Sequence, residues 1–333
     1  MMNSSSLLLS DEQIHALVPG RLQRRLDERY RGGALHGSLA RDCSDEEKAC
    51  LEALYADLGD LMELSKAGDG PADAEALRHF TERTVLLRAM VDLEEFEQGA
   101  RSTYDTRLAH LFRELADGPV ASLCAILFLI RSVGVEPDYF QTLFYLARDQ
   151  RKIMRSILVD LDPELRAKDE EVNVHSIDLL LEKWRDAVYR AFDTELEVAF
   201  ETSVEGMVAE RCIEFAEVDR LFYHLVNNAL RHGNEKRLAI QAVDAEESDD
   251  LIWVFSNPVS QNQAGRLQNF ADGRESVFEY GVGDGSGIGL GALAESVGHA
   301  YGIDTAGQAV SGGYVGSKLD GEVFRIWFHW PKA

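Results

Sequence analysis

Two short segments hold the residues with chemical potential. The first is Gly281-Val-Gly-Asp-Gly-Ser-Gly-Ile-Gly-Leu290, a run of small residues that ends at a helix start. It lacks the G-K-[ST] ending of a P-loop, and its glycines do not fit the dinucleotide spacing G-x-G-x-x-G. Such a run brings several N–H groups and a positive helix terminus to one point, which suits phosphates. The second is a helix ending in Leu225-Val-Asn-Asn-Ala-Leu-Arg-His-Gly233. Asn228, Arg231 and His232 fall on one side at i, i+3, i+4. An amide oxygen can bind Mg²⁺, a guanidinium can pair with phosphate oxygens, and an imidazole ring can lie near a base or phosphate.

Together these segments and their spacing resemble the ATP-binding catalytic domain of sensor histidine kinases, in the superfamily of the Hsp90, gyrase and MutL ATPases. Asp219 to Gly233 (DRLFYHLVNNALRHG) looks like the family's N box, and Gly285-Ser-Gly-Ile-Gly-Leu290 like its second glycine box. Ser311-Gly-Gly-Tyr-Val and Gly321 to Pro331 look like its closing strands. The resemblance covers residues 173–333. The hairpin at 100–162 sits where the family places its dimerisation and phosphotransfer helices. It implies ATP and Mg²⁺ as cofactors, with Asn228 as the Mg²⁺ ligand and Arg231 and His232 facing the nucleotide. Gly285, Gly287 and Gly289 would hold the phosphates, with residues 259–284 as the ATP lid.

This chain departs from the family pattern in three places. The N box has a second Asn four residues earlier; here His224 stands there. The first glycine box, D-x-G-x-G, should follow the strand Leu251 to Val254. Phe255-Ser-Asn-Pro258 occupies that place, and Asn257 or Ser256 stands in for the Asp that reads the adenine amino group. A neutral amide accepts that hydrogen bond more weakly than a carboxylate.

The third departure is the phospho-acceptor, for which two registers are open. Aligning Pro119 with the family's proline puts Glu114 at the acceptor position. Choosing the helix's own histidine gives His110, with Arg113 three residues on. The two are one turn apart and are expected to share a face away from the apolar stripe. A glutamate cannot form the phosphoramidate that a histidine forms.

The elements that must position these groups are legible in outline. Ser10-Asp-Glu-Gln13 and Ser44-Asp-Glu-Glu47 have the capping-box spacing and should each open a helix. Residues 1–98 read as a helical input or partner-binding region, with 1–5 disordered and further helices at about 45–67 and 72–98. Residues 99–162 read as an antiparallel helical hairpin. One helix spans 100–132, with the stripe Leu108, Phe112, Leu115, Pro119, Leu123, Ile126 and Ile130. The other runs from Pro137 to Leu161. One hairpin cannot bury both stripes, so a dimeric four-helix bundle is expected. Residues 163–172 read as a charged linker. Residues 173–333 follow as an α/β sandwich with strands at 172–177, 195–201, 211–215, 236–243, 251–256 and 322–330, and helices at 178–192, 217–232 and 288–301. Trp253, Trp327 and Trp330 are expected in the sheet. His15, His36 and His79 read as surface or packing residues, and His175 has no assigned role.

The fold class expected is therefore multidomain, α and α+β. The chain has 333 residues, with 34 Lys and Arg against 58 Asp and Glu, a net charge of −24. That balance argues against nucleic acid or an anionic membrane as partner, since both need basic patches. Leu7-Leu8-Leu9 is too short for a signal core, and Val120 to Ile130 is about half of a spanning length. Four cysteines without C-x-x-C spacing fit reduced thiols in a cytoplasmic protein. The leading expectation is a cytoplasmic, homodimeric histidine kinase of two-component signal transduction, passing phosphoryl to a histidine and then to a response-regulator receiver domain. The alternative is a scaffold or histidine phosphotransfer relay that does not autophosphorylate, and the third is an anti-sigma-factor-type serine kinase.

Overall fold

The structure is a computed structural model. It describes residues 7–18, 22, 37–66, 71–185, 188–191, 194–245, 248–271, 277–278, 289–303 and 305–333. The chain divides into two compact units, Leu35–Ala167 and Met1–Ala34 with Lys168–Ala333.

The Leu35–Ala167 unit is helical. Its elements are α2 (Asp45–Lys66), α3 (Pro71–Arg83), a 3-10 turn (Val85–Leu87), α4 (Ala89–Ser102), α5 (Thr106–Asp117), α6 (Val120–Ser132) and α7 (Pro137–Ile157). The Ser44 capping box forms: Ser44 Oγ accepts from the Glu47 N–H, and the Ser44 N–H donates to the Glu47 carboxylate. The single helix expected over 100–132 is two helices, α5 and α6, bent by 44°. Pro119 supplies no N–H, so the Leu115 carbonyl loses its helical donor. Gln150 of α7 takes both sides of the break. Its Nε2 donates to the Leu115 carbonyl at 3.1 Å, and its Oε1 accepts from the Val120 N–H at 3.2 Å. A Cβ on Gly118 would lie 2.3 Å from that oxygen, so a glycine is needed there.

The helix expected over 72–98 is also interrupted. Thr84 ends it by capping the 3-10 turn, donating to Asp57 at 2.6 Å and accepting from Leu86. The preceding helices cover much of the hairpin stripe that a second copy was expected to bury. Leu108, Phe112, Leu115, Leu123, Ile130, Leu143, Ala147, Met154 and Ile157 are buried in one core with Leu51, Leu54, Leu58, Phe80 and Leu93 of the preceding helices. Exposed apolar residues remain on α6 (Phe128), at its C-cap (Val133) and on α7 (Tyr145).

The other unit begins with α1 (Asp11–Leu17), which carries the Ser10 capping box. After α8 (Pro163–Asp169) come β1 (Val172–Ser176), α9 (Asp178–Trp184), β2 (Val188–Ala191), β3 (Thr194–Thr202), β4 (Met207–Arg211), α10 (Cys212–His232), β5 (Arg237–Asp244) and β6 (Asp250–Pro258). The chain continues with α11 (Gln261–Ala271), α12 (Gly289–Ala300), α13 (Ala306–Ser311), β7 (Val315–Asp320) and β8 (Val323–Pro331). Six strands form one sheet in the order β2-β3-β5-β6-β8-β7, antiparallel except for β3 with β5. The parallel pair requires a crossover, and α10 lies within it.

Three expectations are corrected here. The helix expected to reach residue 192 stops at Trp184, and Val188–Ala191 pairs with β3, as its β-favouring Val and Tyr allow. Residues 212–215 open α10 and are not a strand. The charged stretch 163–172 holds α8, which is started by Pro163 and by Asp162, whose carboxylate accepts from the Leu165 N–H.

Side chains alternate across β6 and β8. Leu251, Trp253, Phe255, Ile326, Phe328 and Trp330 face the core shared with α10 and α12. Ile252, Val254 and Trp327 lie on the opposite face, under Ile14 and Val18 of the N-terminal segment. Leu7 packs there with Ala239 and Val323. Leu9 is held through its backbone: its N–H donates to Gln241 Oε1 and its carbonyl accepts from Gln241 Nε2, both at 2.8 Å. Residues 7–18 therefore belong with the C-terminal sheet, and the grouping of 1–98 as one helical region divides between the two units.

Candidate functional site

The residues expected to bind nucleotide lie on α10, at the end of β6 and, for Gly289, at the start of α12. The last two turns of α10 present Asn228 and His232 half-buried and Arg231 exposed, while His224, one turn earlier, is buried. The helix ends at Gly233, whose N–H donates to the Ala229 carbonyl at 2.7 Å. A Cβ on Gly233 would lie 2.4 Å from that oxygen and 3.7 Å from Asn257 Nδ2. Asn257 therefore sits against the end of α10. The Asn234 N–H donates to the Pro258 carbonyl at 2.9 Å, which ties the loop after α10 to the end of β6. The Lys236 ammonium donates to the Leu230 carbonyl in the last turn of α10, a favourable place for a cation.

The alternation of β6 separates the two residues left open for the adenine-reading position. Asn257 has the parity of Trp253 and Phe255 and lies on the α10 side. Ser256 has the parity of Ile252 and Val254 and lies on the side of the N-terminal segment. Only Asn257 is placed beside α10.

Gly289 is the first residue of α12. Gly285 and Gly287 lie outside the described residues. Within the expected lid at 259–284, residues 261–271 form α11 and Phe278 is buried in the core; residues 272–276 and 279–284 lie outside the described residues.

A buried polar cluster joins α10 to α12, and the sequence reading did not single it out. Arg220 pairs with Glu217 and donates to Ser296 Oγ at 3.2 Å, and Ser296 in turn donates to Glu217. All three are at most 3% exposed. The available signal was a Glu and an Arg at i, i+3 on α10, a spacing that lets them pair. Asn228 lies eight residues beyond Arg220 on α10, and Gly289 lies seven residues before Ser296 on α12. At 1.5 Å per residue these offsets are about 12 and 10 Å. Nearby, Lys183 of α9 donates to both oxygens of Asp219 at 2.7 and 2.9 Å.

The donor set can be compared with what Mg²⁺ requires. Among the described residues no group of three or more His, Cys, Asp or Glu could hold a metal ion. One amide such as Asn228 fits Mg²⁺ carried largely by phosphates and water, not a protein-built cage.

The two acceptor candidates lie on α5 in the helical unit. His110 is half-buried. Glu114 is 1% exposed, although its period places it with His110 away from the apolar stripe. α4 packs against α5: Arg113 pairs with Glu97 of α4 at 3.1 Å, and the Phe96 and Phe112 rings meet at 5.3 Å.

No protein-family model matches the chain, and no curated protein matches it. Solved structures to which it is similar in part are histidine kinases. One is the Acinetobacter baumannii histidine kinase AdeS, at 14% identity and a TM-score of 0.30, over 64% of this chain and 94% of that one. A histidine kinase from Burkholderia phymatum matches at 14% identity and a TM-score of 0.30, over 74% and 96%. Full-length ShkA in complex with AMPPNP matches at 15% identity and a TM-score of 0.31, over 72% of this chain and 46% of that one. Among the described residues no single helix is long and apolar enough to cross a membrane.

Proposed function

We propose that this chain is a histidine-kinase-like signalling protein that binds ATP·Mg²⁺ beside α10. The observation that carries the reading is the placement of Asn257 against the Gly233 end of α10, next to the turn bearing Asn228, Arg231 and His232. In this reading Asn257 accepts from the adenine amino group, and the Asn228 amide oxygen faces Mg²⁺. Arg231 and His232 face the phosphates, while His224 backs Asn228 from one turn below. Gly285, Gly287 and Gly289 carry the phosphates at the start of α12. Glu217, Arg220 and Ser296 hold the two helices at a fixed spacing. Bound Mg²⁺ supplies charge neutralisation on the phosphates. The protein supplies positioning, which is most of what phosphoryl transfer asks of it.

The His110 ring then accepts the γ-phosphoryl group as ADP leaves, and passes it to an aspartate of a response-regulator receiver domain. The exposed Phe128, Val133 and Tyr145 fit a surface covered by a second copy, as a homodimeric bundle requires. A cytoplasmic location accords with this role.

A second reading, a relay or scaffold that does not autophosphorylate, is favoured by one observation. Glu114 occupies the acceptor position in the proline-aligned register and is buried. The deciding experiment uses γ-labelled ATP with Mg²⁺ on the wild type and His110→Ala. Acid-labile, alkali-stable label that is lost in His110→Ala supports the kinase. Absence of label, together with an ATP·Mg²⁺ thermal shift that Asn228→Ala removes, supports the relay. Absence of both overturns the nucleotide site.

A further inference from the structure

Cys212 is the first residue of the 21-residue helix α10, at the end opposite to Asn228. Its Sγ lies 3.6 Å from His175 Nε2 on β1, close enough for the thiol to donate to the ring nitrogen. Asn173, also on β1, donates from Nδ2 to the same sulfur at 3.4 Å. The His175 ring is stacked on Phe215, one turn along α10, with centroids 4.8 Å apart and planes 16° apart. β1 is paired with β4, so the imidazole is fixed relative to the helix start by both strand pairing and ring stacking. A thiolate at this point meets an imidazolium, an amide donor and the positive end of a long helix. These are the features that make a cysteine nucleophilic.

Burial disfavours the thiolate at the other three cysteines. Burial pushes Cys43 up to about 12 and Cys124 up to about 11, and it raises Cys50. Cys124 also donates to the Leu86 carbonyl at 2.8 Å. Cys50 and Cys212 are both half-buried, so accessibility alone does not separate them.

We infer that Cys212 and His175 form a reactive thiol–imidazole pair, a site of modification by hydroperoxides. The Cys212 thiol proton passes to His175 Nε2. The thiolate sulfur attacks one peroxide oxygen and the O–O bond breaks. Cys212 becomes a sulfenic acid, oxidised by two electrons. The other oxygen takes the proton back from His175 and leaves as water, or as an alcohol from an alkyl hydroperoxide. Asn173 steadies the sulfur in its charged form.

The test treats the native full-length protein with limiting hydrogen peroxide and dimedone, and measures sulfenic-acid adducts on each cysteine peptide by mass spectrometry. Cys212 should be labelled at least about tenfold faster than Cys43, Cys50 or Cys124, and the preference should vanish in guanidinium. His175→Gln, with its fold checked by circular dichroism, should slow Cys212 labelling by at least about fivefold. Asn173→Ala changes an exposed residue; it should give a smaller loss and serves if His175→Gln misfolds. Equal labelling of Cys50 and Cys212 in the native protein overturns the inference. So does a Cys212 rate that neither variant lowers.

Discussion

Gln150 donates its side-chain amide to the Leu115 carbonyl, replacing the backbone donor that Pro119 removes. The same amide accepts from the Val120 N–H with its oxygen, and Gly118 leaves the space it needs. One polar side chain from α7 thus makes a bend between α5 and α6 tolerable inside an apolar core. Gln150→Leu keeps the volume and leaves two buried backbone groups unsatisfied. We expect a loss of about 2–4 kcal/mol, read from the urea midpoint of the helical unit. A change under about 0.5 kcal/mol would show that these groups find other partners.

Arg220 pairs with the fully buried Glu217, and Ser296 is their shared hydroxyl. Arg220→Met leaves that carboxylate without its cation. The expected cost is about 3–5 kcal/mol in thermal or urea unfolding of the α/β unit. The double substitution Glu217→Leu with Arg220→Met should recover most of it, because an apolar pair of similar volume replaces the ion pair.

Asn257 stands where the resemblance places an adenine-reading carboxylate. Asn257→Asp should tighten ATP binding about fivefold or more in calorimetry, since a charged acceptor makes the stronger hydrogen bond. GTP, which lacks the amino group at that position, should gain nothing. Equal gains for both nucleotides, or none for either, would remove Asn257 from the base pocket.

Three carboxylates in the helical unit are held below their ordinary range. Asp42 is lowered chiefly by the hydrogen bond from Arg41. Burial pushes Asp160 up, but the Leu39 N–H, the Ser38 hydroxyl and the Ala40 N–H outweigh it. Burial likewise raises Asp162, and the Tyr55 hydroxyl and Leu165 N–H outweigh it. A carboxyl depressed on folding stabilises the native state above its unfolded pKa of about 3.9, and that stability is lost as pH falls through the folded value. Stability of this unit should therefore fall below about pH 4, and Asp160→Asn should flatten the fall. An unchanged acid limb in Asp160→Asn would locate the effect elsewhere.

Ile14 is fully buried against Val243, Ile252 and Val254. Ile14→Ala should release residues 7–18 without melting the sheet. Hydrogen exchange should quicken at the α1 amides, while β5 and β6 stay protected. Equal loss of protection in the strands would mean that the segment is integral to the sheet.

Much of the architecture follows from local signals. The two capping boxes, the periodic stripe of α7, the strands β3, β5, β6 and β8, and α10 from Glu217 onward depend on neighbouring residues, and a linear reading captures them. So does the grouping of Asn228, Arg231 and His232, which needs only the helical repeat. Tertiary structure decided what depends on distant partners. Whether Pro119 breaks or merely bends a helix depends on Gln150, some thirty residues on. Glu114 falls on the polar side of α5 by period alone, yet it is buried. Strand parity places Asn257 beside α10 and Ser256 away from it, but only once the sheet shows which face carries the helices. The N-terminal leucines have no local signal for their destination, because the surface they cover is assembled from strands more than two hundred residues away. Sequence period fixes which residues share a face; contact across the fold fixes what that face meets, and burial energy follows the second.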